Sequence, residues 1–188
     1  MLLILTFYEF IKVDAYLVTK FAGASGDLGI YSSSDPSKSH IFTLASDGTV
    51  GFDVKSNGDL YVGGELAVSS FGSSFGFYFS STTGVDSYTE DTLNEGGYGA
   101  DNNILALSYL IADGVDVDLI NYLYADTMTL DGNNDWLLAF EDTINGDGDF
   151  NDALFIIEDM NPVPEPATML LFGMGLLGLA GITRRKKA

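Results

Sequence analysis

The sequence predicts an all-β fold: a single antiparallel β-sandwich of the jelly-roll kind, followed by a C-terminal transmembrane helix. Three observations support this prediction. Short segments rich in Val, Ile, Phe, Tyr and Thr alternate with turn-forming Gly, Asn, Asp and Ser, which is typical of a β-sandwich. The length of 188 residues suits one domain of ordinary size. A charge-free run also lies near the C-terminus, directly before four basic residues.

The predicted strands are short and separated by polar, glycine-rich stretches. They cover residues 16–22, 39–44, 48–54, 59–62, 65–70, 74–80, 104–111, 136–141 and 153–158. Phe75, Phe77 and Phe79 occupy alternate positions of one strand, so we expect them to face the core. Residues 119–128 have an ambiguous period, and a helix is the alternative there. Residues 82–103 are predicted to form a long loop on the rim of the domain.

The body of the chain is strongly acidic. Residues 16–161 hold 24 of the 27 acidic residues and three of the eight basic ones, a formal net charge of −21. Such a surface repels nucleic acid and anionic membranes and attracts divalent cations, so nucleic-acid binding is excluded. The absence of cysteine excludes disulfides, thiolate metal sites and a cysteine nucleophile. The single histidine, His40, is interpreted as an ordinary strand residue.

Residues 1–15 are interpreted as a degraded or mis-started signal peptide. Leu2 to Leu5 are apolar, but no basic residue precedes them and Glu9 interrupts the apolar stretch. The alternative is a first strand that continues beyond Tyr16. The predicted division is therefore 1–15, an acidic β-sandwich domain at 16–161, and a sorting and anchor segment at 162–188.

The C-terminal segment has the parts of a short membrane anchor. Prolines 162, 164 and 166 form a stiff spacer that a helix cannot include. As a helix, the uncharged residues 167–182 would span about 24 Å of a hydrocarbon core of about 30 Å. A basic cluster follows, and the positive-inside rule keeps it in the cytoplasm and places the body outside. This predicted membrane stop consists of Arg184, Arg185, Lys186 and Lys187.

The anchor segment contains a match to the dinucleotide-binding pattern G-x-G-x-x-G, formed by Gly173, Gly175 and Gly178. We reject that interpretation because no strand precedes the glycines and no acidic residue follows about twenty positions later. Gly175, Gly178 and Gly181 instead place small residues on one helix face, where another membrane helix can approach. A helix buried against the domain is the alternative.

The order of a Pro-Glu-Pro motif, a glycine- and leucine-rich run and a basic cluster resembles the PEP-CTERM sorting signal of Gram-negative bacteria. In that family the motif, here Pro164, Glu165 and Pro166, is recognised by exosortase, a membrane-embedded cysteine protease. The resemblance implies export, transient anchoring in the inner membrane and processing near the motif. It also implies delivery to the cell surface or to the extracellular polysaccharide matrix.

A loop crowded with carboxylates between two apolar strands is the most chemically suggestive part of the body. Its oxygen-bearing residues are spaced so that a loop can fold them around calcium, a hard cation that takes six to eight oxygens. The candidate ligands are Glu141, Asp142, Asn145, Asp147, Asp149 and Asp152. The EF-hand template fails, because Phe150 and Ile156 stand where it requires glycine and glutamate. The alternative is a hydrated turn whose side chains bond their own backbone.

The same region carries a second resemblance. Trp136-Leu-Leu-Ala-Phe-Glu-Asp142 and Gly146-Asp-Gly-Asp-Phe-Asn-Asp152 are similar to the C-terminal signature of a domain of unknown function in secreted bacterial proteins, and the similarity covers roughly residues 74–159. Relatives often carry a basic residue where Gly148 stands and a histidine where Asp101 and Asn102 stand. The resemblance implies no enzymatic activity.

These observations favour a non-enzymatic protein of the cell surface or biofilm matrix, stabilised by calcium. The alternative is a calcium-dependent carbohydrate-binding module or adhesin, which would use the rim loop and rings such as Tyr88 and Tyr98. A glycosidase that pairs Glu141 with Asp152 is a third and weaker hypothesis. The sole tryptophan, Trp136, is expected to be buried, with sugar stacking as its alternative.

Overall fold

The computed structural model describes residues 5–6, 12–20, 25–43, 49–97, 103–111, 116–121, 124–129, 135–144, 147–158 and 160. For residues 5–6, 12–20, 116–121 and 124–129 it describes the backbone alone.

The described residues form strands almost throughout, and the all-β class is confirmed. The strands are β1 (Leu5–Thr6), β2 (Lys12–Lys20), β3 (Gly26–Ser32), β4 (Asp35–Ile41), β5 (Thr49–Val54), β6 (Leu60–Val62), β7 (Glu65–Val68), β8 (Ser74–Ser81), β9 (Asp86–Tyr88), β10 (Ala106–Leu110), β11 (Asp116–Asn121), β12 (Tyr124–Thr129), β13 (Trp136–Phe140) and β14 (Ala153–Ile157). One 3₁₀ turn, Asp91–Leu93, lies in the predicted rim loop.

Two antiparallel sheets contain most of the strands. The first has the order β1-β8-β3-β4, with β9 also paired to β8. The second has the order β10-β13-β14-β2-β5-β6-β7. Strands β11 and β12 form a separate hairpin. In the second sheet, β13 and β14 are direct neighbours with Phe140 opposite Ala153, so the acidic loop between them starts and ends at the same edge.

The core contains apolar side chains from both sheets. Phe75, Phe77 and Phe79 of β8 are at most 1 % exposed, as their alternation predicts. The ring centroid of Phe79 lies 6.1 Å from that of Phe140 and 6.2 Å from that of Phe155. Phe140 and Phe155 both belong to the second sheet. These aromatic contacts therefore join the two sheets directly.

The opposite face of the first sheet carries a second buried layer that the sequence did not suggest. Tyr31 and Tyr78 are 1 % and 5 % exposed. Each ring lies over a glycine of the adjacent strand: a Cβ at Gly29 would stand 2.2 Å from the Tyr78 ring, and a Cβ at Gly76 would stand 2.6 Å from Cζ of Tyr31. Glycine at these two positions thus allows the tyrosines to lie flat on the sheet.

Four points of the predicted secondary structure need correction. Residues 86–88, within the predicted rim loop, form β9, which pairs with β8. The helical alternative for residues 119–128 is wrong, since their described parts belong to β11 and β12, which pair from Asp116 opposite Thr129 to Asn121 opposite Tyr124. Strand β3 was not predicted, because its glycines interrupt the apolar pattern. The first long strand starts at Lys12 instead of residue 16, so it crosses the predicted boundary at residue 15. That domain division itself stays a prediction.

The described residues contain no helix of the length and apolar character needed to cross a membrane. The predicted anchor at 167–182, the sorting motif and the basic cluster at 184–187 lie outside the described part of the chain.

Candidate metal centre

The acidic loop, residues 141–152, connects β13 to β14. Phe140 ends β13 and Glu141 follows it, and both side chains are 0 % exposed. In a regular strand, consecutive side chains point to opposite faces, so one of the two would be expected on the outer face. At this end of β13 both faces are buried, since Ala139, the neighbour of Phe140 on the other face, is only 4 % exposed. The Glu141 carboxylate is therefore buried although it directly follows Phe140.

Hydrogen bonds hold the start of this loop to both sheets. The Glu141 N–H donates to the carbonyl of Leu105, next to β10, at 3.0 Å. The Ser87 hydroxyl of β9 donates to the Glu141 carbonyl. The Thr83 hydroxyl, in the turn before β9, donates to the Asp142 carbonyl at 2.8 Å. Because β9 belongs to the first sheet and β10 to the second, Glu141 lies where the two sheets meet.

The Glu141 carboxylate has fewer hydrogen-bond donors than a buried charge requires. Its Oε1 accepts the Phe150 N–H at 2.8 Å, whereas its buried Oε2 has no hydrogen-bond partner among the described residues. Phe150 adopts φ 54°, a left-handed conformation that is uncommon for a residue with a side chain, and its N–H reaches Glu141 in that conformation. A buried ion without adequate partners costs several kcal/mol. The environment of Oε2 thus requires a proton or a cation.

Two further carboxylates lie beside Glu141. Single carboxylate oxygens of Glu141, Asp147 and Asp149 are all within 4.8 Å of one another. Calcium binds oxygens at about 2.3–2.6 Å, so two ligands of one ion are at most about 5 Å apart. The three carboxylates are therefore close enough to share one calcium ion. Since Asp147 and Asp149 are exposed, the remaining coordination positions face solvent.

Burial and negative neighbours shift the protonation of this cluster. Burial raises the pKa of Glu141 above its ordinary value, partly opposed by the Phe150 N–H, and the charges of Asp152, Asp147 and Asp149 raise it further. Burial and the neighbouring Asp142 also raise the pKa of Asp152. Both shifts have burial as their largest cause, and the neighbouring negative charges add to it.

The structure brings together three of the six predicted ligands. Asp142 is 8 % exposed and lies outside the three-residue cluster. Asp152 accepts the Asp142 N–H through Oδ2 at 2.9 Å, so this carboxylate helps to close the loop. Asn145 lies outside the described residues.

One feature agrees with the alternative of a hydrated turn. The Asn151 N–H and side-chain amide both donate to the Asp149 carboxylate, at 3.3 and 2.5 Å. This local turn accounts for Asp149 but leaves the buried Oε2 of Glu141 without a partner. The lysines whose side chains are described bind elsewhere: Lys38 contacts the Ser70 carbonyl and Lys55 pairs with Asp53.

A groove lies between the rim loop and the acidic loop. Its volume is about 270 Å³, and it is lined by Gly84, Val85, Asp86, Tyr88, Leu93, Glu95 and Ile144. The Tyr88 ring stacks on that of Tyr78, at 5.3 Å and an interplanar angle of 20°. Ile144 belongs to the acidic loop and packs closely on the rim loop, since a Cβ at Gly96 would be 3.0 Å from its Cγ2.

Two other predicted positions are placed by the structure. Trp136 is 7 % exposed and its Nε1 donates to the Met160 carbonyl at 3.1 Å, which fits the packing role. His40 lies in β4 with its ring 6.0 Å from that of Phe42. Tyr98 lies outside the described residues.

Without a metal ion, the buried Glu141 should make stability depend on pH. Because its pKa is raised above 4.5 in the folded state, the folded form binds a proton more readily than the unfolded form. The free-energy cost of burying the charged carboxylate is fully present at neutral pH. It decreases as pH falls through the raised pKa of the folded state toward 4.5. We expect urea unfolding in EDTA to show that Glu141→Gln exceeds the wild type in stability most at pH 7 and least near pH 4.5.

The comparison between these two proteins isolates Glu141. Burial lowers the pKa of His40, so this residue makes the folded state less stable as pH falls, opposite to the effect of Glu141. Because His40 is present in both proteins, its effect cancels in the difference between their stabilities. A difference that does not change between pH 7 and 4.5 would contradict the assignment.

Fold and site together define the class: an acidic all-β protein with a carboxylate cluster on a loop at the junction of its two sheets. No curated protein and no solved structure is significantly similar to the chain. Residues 162–186, however, match the family model described as the PEP-CTERM protein-sorting motif.

The chain therefore carries this sorting motif, and the predicted PEP-CTERM signal is confirmed. The role of Pro164, Glu165 and Pro166 in recognition stays a prediction. The motif implies an exported protein of a Gram-negative bacterium with exosortase as its processing partner. The resemblance of residues 74–159 to a domain of unknown function stays a prediction.

Proposed function

We propose that this protein is a non-enzymatic component of the cell surface or of the extracellular polysaccharide matrix. Exosortase processes it after the C-terminal helix has anchored it transiently in the inner membrane. Its body is a jelly-roll-like β-sandwich that calcium stabilises through Glu141, Asp147 and Asp149. The sorting motif at residues 162–186 supports the exported location.

The single observation that carries the calcium proposal is the buried Oε2 of Glu141. It has no hydrogen-bond partner in the described part of the chain, and one oxygen of the same carboxylate lies within 4.8 Å of carboxylate oxygens of two exposed aspartates. A divalent ion satisfies this oxygen and neutralises the three charges at once. Sites of this kind in extracellular modules bind calcium with a Kd of about 10⁻⁴–10⁻³ M, because part of the coordination is left to water.

The burial of Glu141 also supports a non-enzymatic role. A general acid must reach the glycosidic oxygen of its substrate, whereas Glu141 is 0 % exposed. Its supposed partner Asp152 is held by the backbone N–H of Asp142. These contacts favour metal binding and loop closure over acid–base chemistry.

Calcium should raise the melting temperature of the full-length protein. A ligand of the native state stabilises it by RT ln(1 + [L]/Kd), so 10 mM calcium should add roughly 1.4–2.7 kcal/mol and raise Tm by about 3–10 °C. Differential scanning calorimetry with and without calcium measures this shift.

The double variant Asp147→Asn, Asp149→Asn should lose the calcium response. A matched control is Asp27→Asn, Asp35→Asn, which removes the same charge from positions in β3 and β4 and should respond as the wild type does. Equal responses of all three proteins would place the calcium effect away from this loop, and no response in the wild type would favour the hydrated turn.

A second candidate function is calcium-dependent carbohydrate binding, which the groove beside Tyr88 favours. An aromatic ring with carboxylates Asp86 and Glu95 near it offers a surface on which a sugar can stack and form hydrogen bonds. Glycan-array binding that chelation abolishes would support this function. Tyr88→Ala should remove such binding, whereas Tyr109→Ala, at a 53 % exposed position of β10, should not.

A further inference from the structure

We infer that the cation at Glu141, Asp147 and Asp149 controls closure of the domain itself, so that the chain closes only where calcium is plentiful, outside the cell. This inference rests on the proposed function and specifies how its metal site is regulated. It goes further than stabilisation, because it assigns the metal-free protein a different structural state at the junction of the two sheets.

The position of Glu141 makes the site a link between the sheets. Its backbone N–H bonds to Leu105 beside β10, and its carbonyl accepts the Ser87 hydroxyl of β9. Its side chain reaches the far end of the acidic loop at the Phe150 N–H. Because this side chain is 0 % exposed, bringing its carboxylate into solvent requires the Glu141 backbone to move as well, and that movement breaks the contacts with both sheets.

At neutral pH the closed state has a free-energy cost that a bound cation removes. Closure places the Oε2 of Glu141 in a buried position without a donor from any described residue, and it brings the carboxylates of Asp147 and Asp149 close to that of Glu141. In the open state, water solvates all three carboxylates. Without a cation the closed state is thus selectively destabilised, and with one it is selectively favoured.

The concentration of the ion then decides which state is present. For a Kd of about 10⁻⁴ M, typical of extracellular calcium modules, 1 mM calcium increases the closed population relative to the open one about 11-fold. Micromolar or lower calcium changes this ratio by about 1 % or less. An open junction inside the cell keeps the chain easier to unfold and thread through a membrane channel, and calcium outside then closes it.

Hydrogen–deuterium exchange on the full-length protein tests the inference. In EDTA we expect peptides covering β9 and β13 to exchange at least tenfold faster than in 5 mM calcium, while peptides covering β6 change little. Glu141→Gln keeps the size of the side chain and removes its charge, so it should be protected in EDTA and should not respond to calcium. Glu65→Gln, at an exposed position of β7, is the matched control and should behave as the wild type does.

Two measurements keep the test decisive if Glu141→Gln does not fold. The wild type alone reports whether exchange at β9 and β13 depends on calcium. The double variant Asp147→Asn, Asp149→Asn removes the two exposed charges that repel Glu141. It should therefore exchange more slowly in EDTA than the wild type does. Equal exchange of the wild type in EDTA and in calcium overturns the inference.

The outcomes separate this inference from the proposed function. If calorimetry shows calcium binding and a raised Tm but exchange is the same with and without the ion, calcium stabilises the domain without controlling its closure. If calcium does not bind, the calcium part of the proposed function falls together with the inference. In the native host, slower export of Glu141→Gln than of Glu65→Gln would support the inference, and equal export would count against the role of the open state in export.

Discussion

Replacing Pro164, Glu165 and Pro166 with alanine should abolish processing of the protein. Residues 162–186 match the sorting motif, and in the resembling family this tripeptide is what exosortase recognises. We expect the processed form to fall more than tenfold and the full-length precursor to accumulate in the membrane fraction. Mass spectrometry of the C-terminus, in cells with and without exosortase, measures both species.

The neighbouring Pro162→Ala is the matched control, since it alters the same proline-rich spacer and leaves the tripeptide intact. It should be processed at nearly the wild-type level. If the triple variant is processed as efficiently as this control, recognition depends on another part of the segment, and the role assigned to the tripeptide is wrong.

Phe79→Ala should cause the largest loss of stability among single substitutions in the described core. The side chain is 0 % exposed and its ring contacts Phe140 and Phe155 of the other sheet. Truncating a buried phenylalanine to alanine costs about 3–5 kcal/mol, against a total stability of about 5–15 kcal/mol for an ordinary domain. Urea unfolding in saturating calcium, with metal occupancy held constant, measures the difference.

Leu66→Ala provides the comparison, because Leu66 is 53 % exposed on β7. A substitution at such a surface position should change stability by less than about 0.5 kcal/mol. A cost below about 1 kcal/mol for Phe79→Ala would mean that the two sheets do not share the core that the ring contacts indicate.

The strands with a strict alternation were predictable from sequence, and the exceptions have physical reasons. In β8 the phenylalanines alternate with small or polar residues, so the alternation indicated which face of the strand packs in the core. Strand β3, Gly-Asp-Leu-Gly-Ile-Tyr-Ser, is buried on both faces and lacks the alternation of apolar and polar residues from which the other strands were predicted. Gly29 is required there by the Tyr78 ring of the adjacent strand, a contact that local patterns do not reveal. The ambiguous period of residues 119–128 likewise concealed the hairpin of β11 and β12.

The candidate site was predictable in composition but not in geometry. Alternating acidic residues identified the loop in which the carboxylate cluster lies. The sequence could not distinguish Glu141, which is buried at the junction of the sheets, from Asp142 and Asp152, which serve to close the loop. That difference depends on where β13 ends and on bonds from Leu105 and Ser87, which are distant in sequence.

The hydrogen bond between Trp136 and the Met160 carbonyl limits how far the protease can stand from the folded body. Met160 is fixed beside β13, and four residues further on the recognised tripeptide starts at Pro164. An extended chain spans at most about 3.6 Å per residue, so the tripeptide begins no more than about 14 Å from this attachment point. An exosortase that recognises this tripeptide would therefore act close to the surface of the folded body.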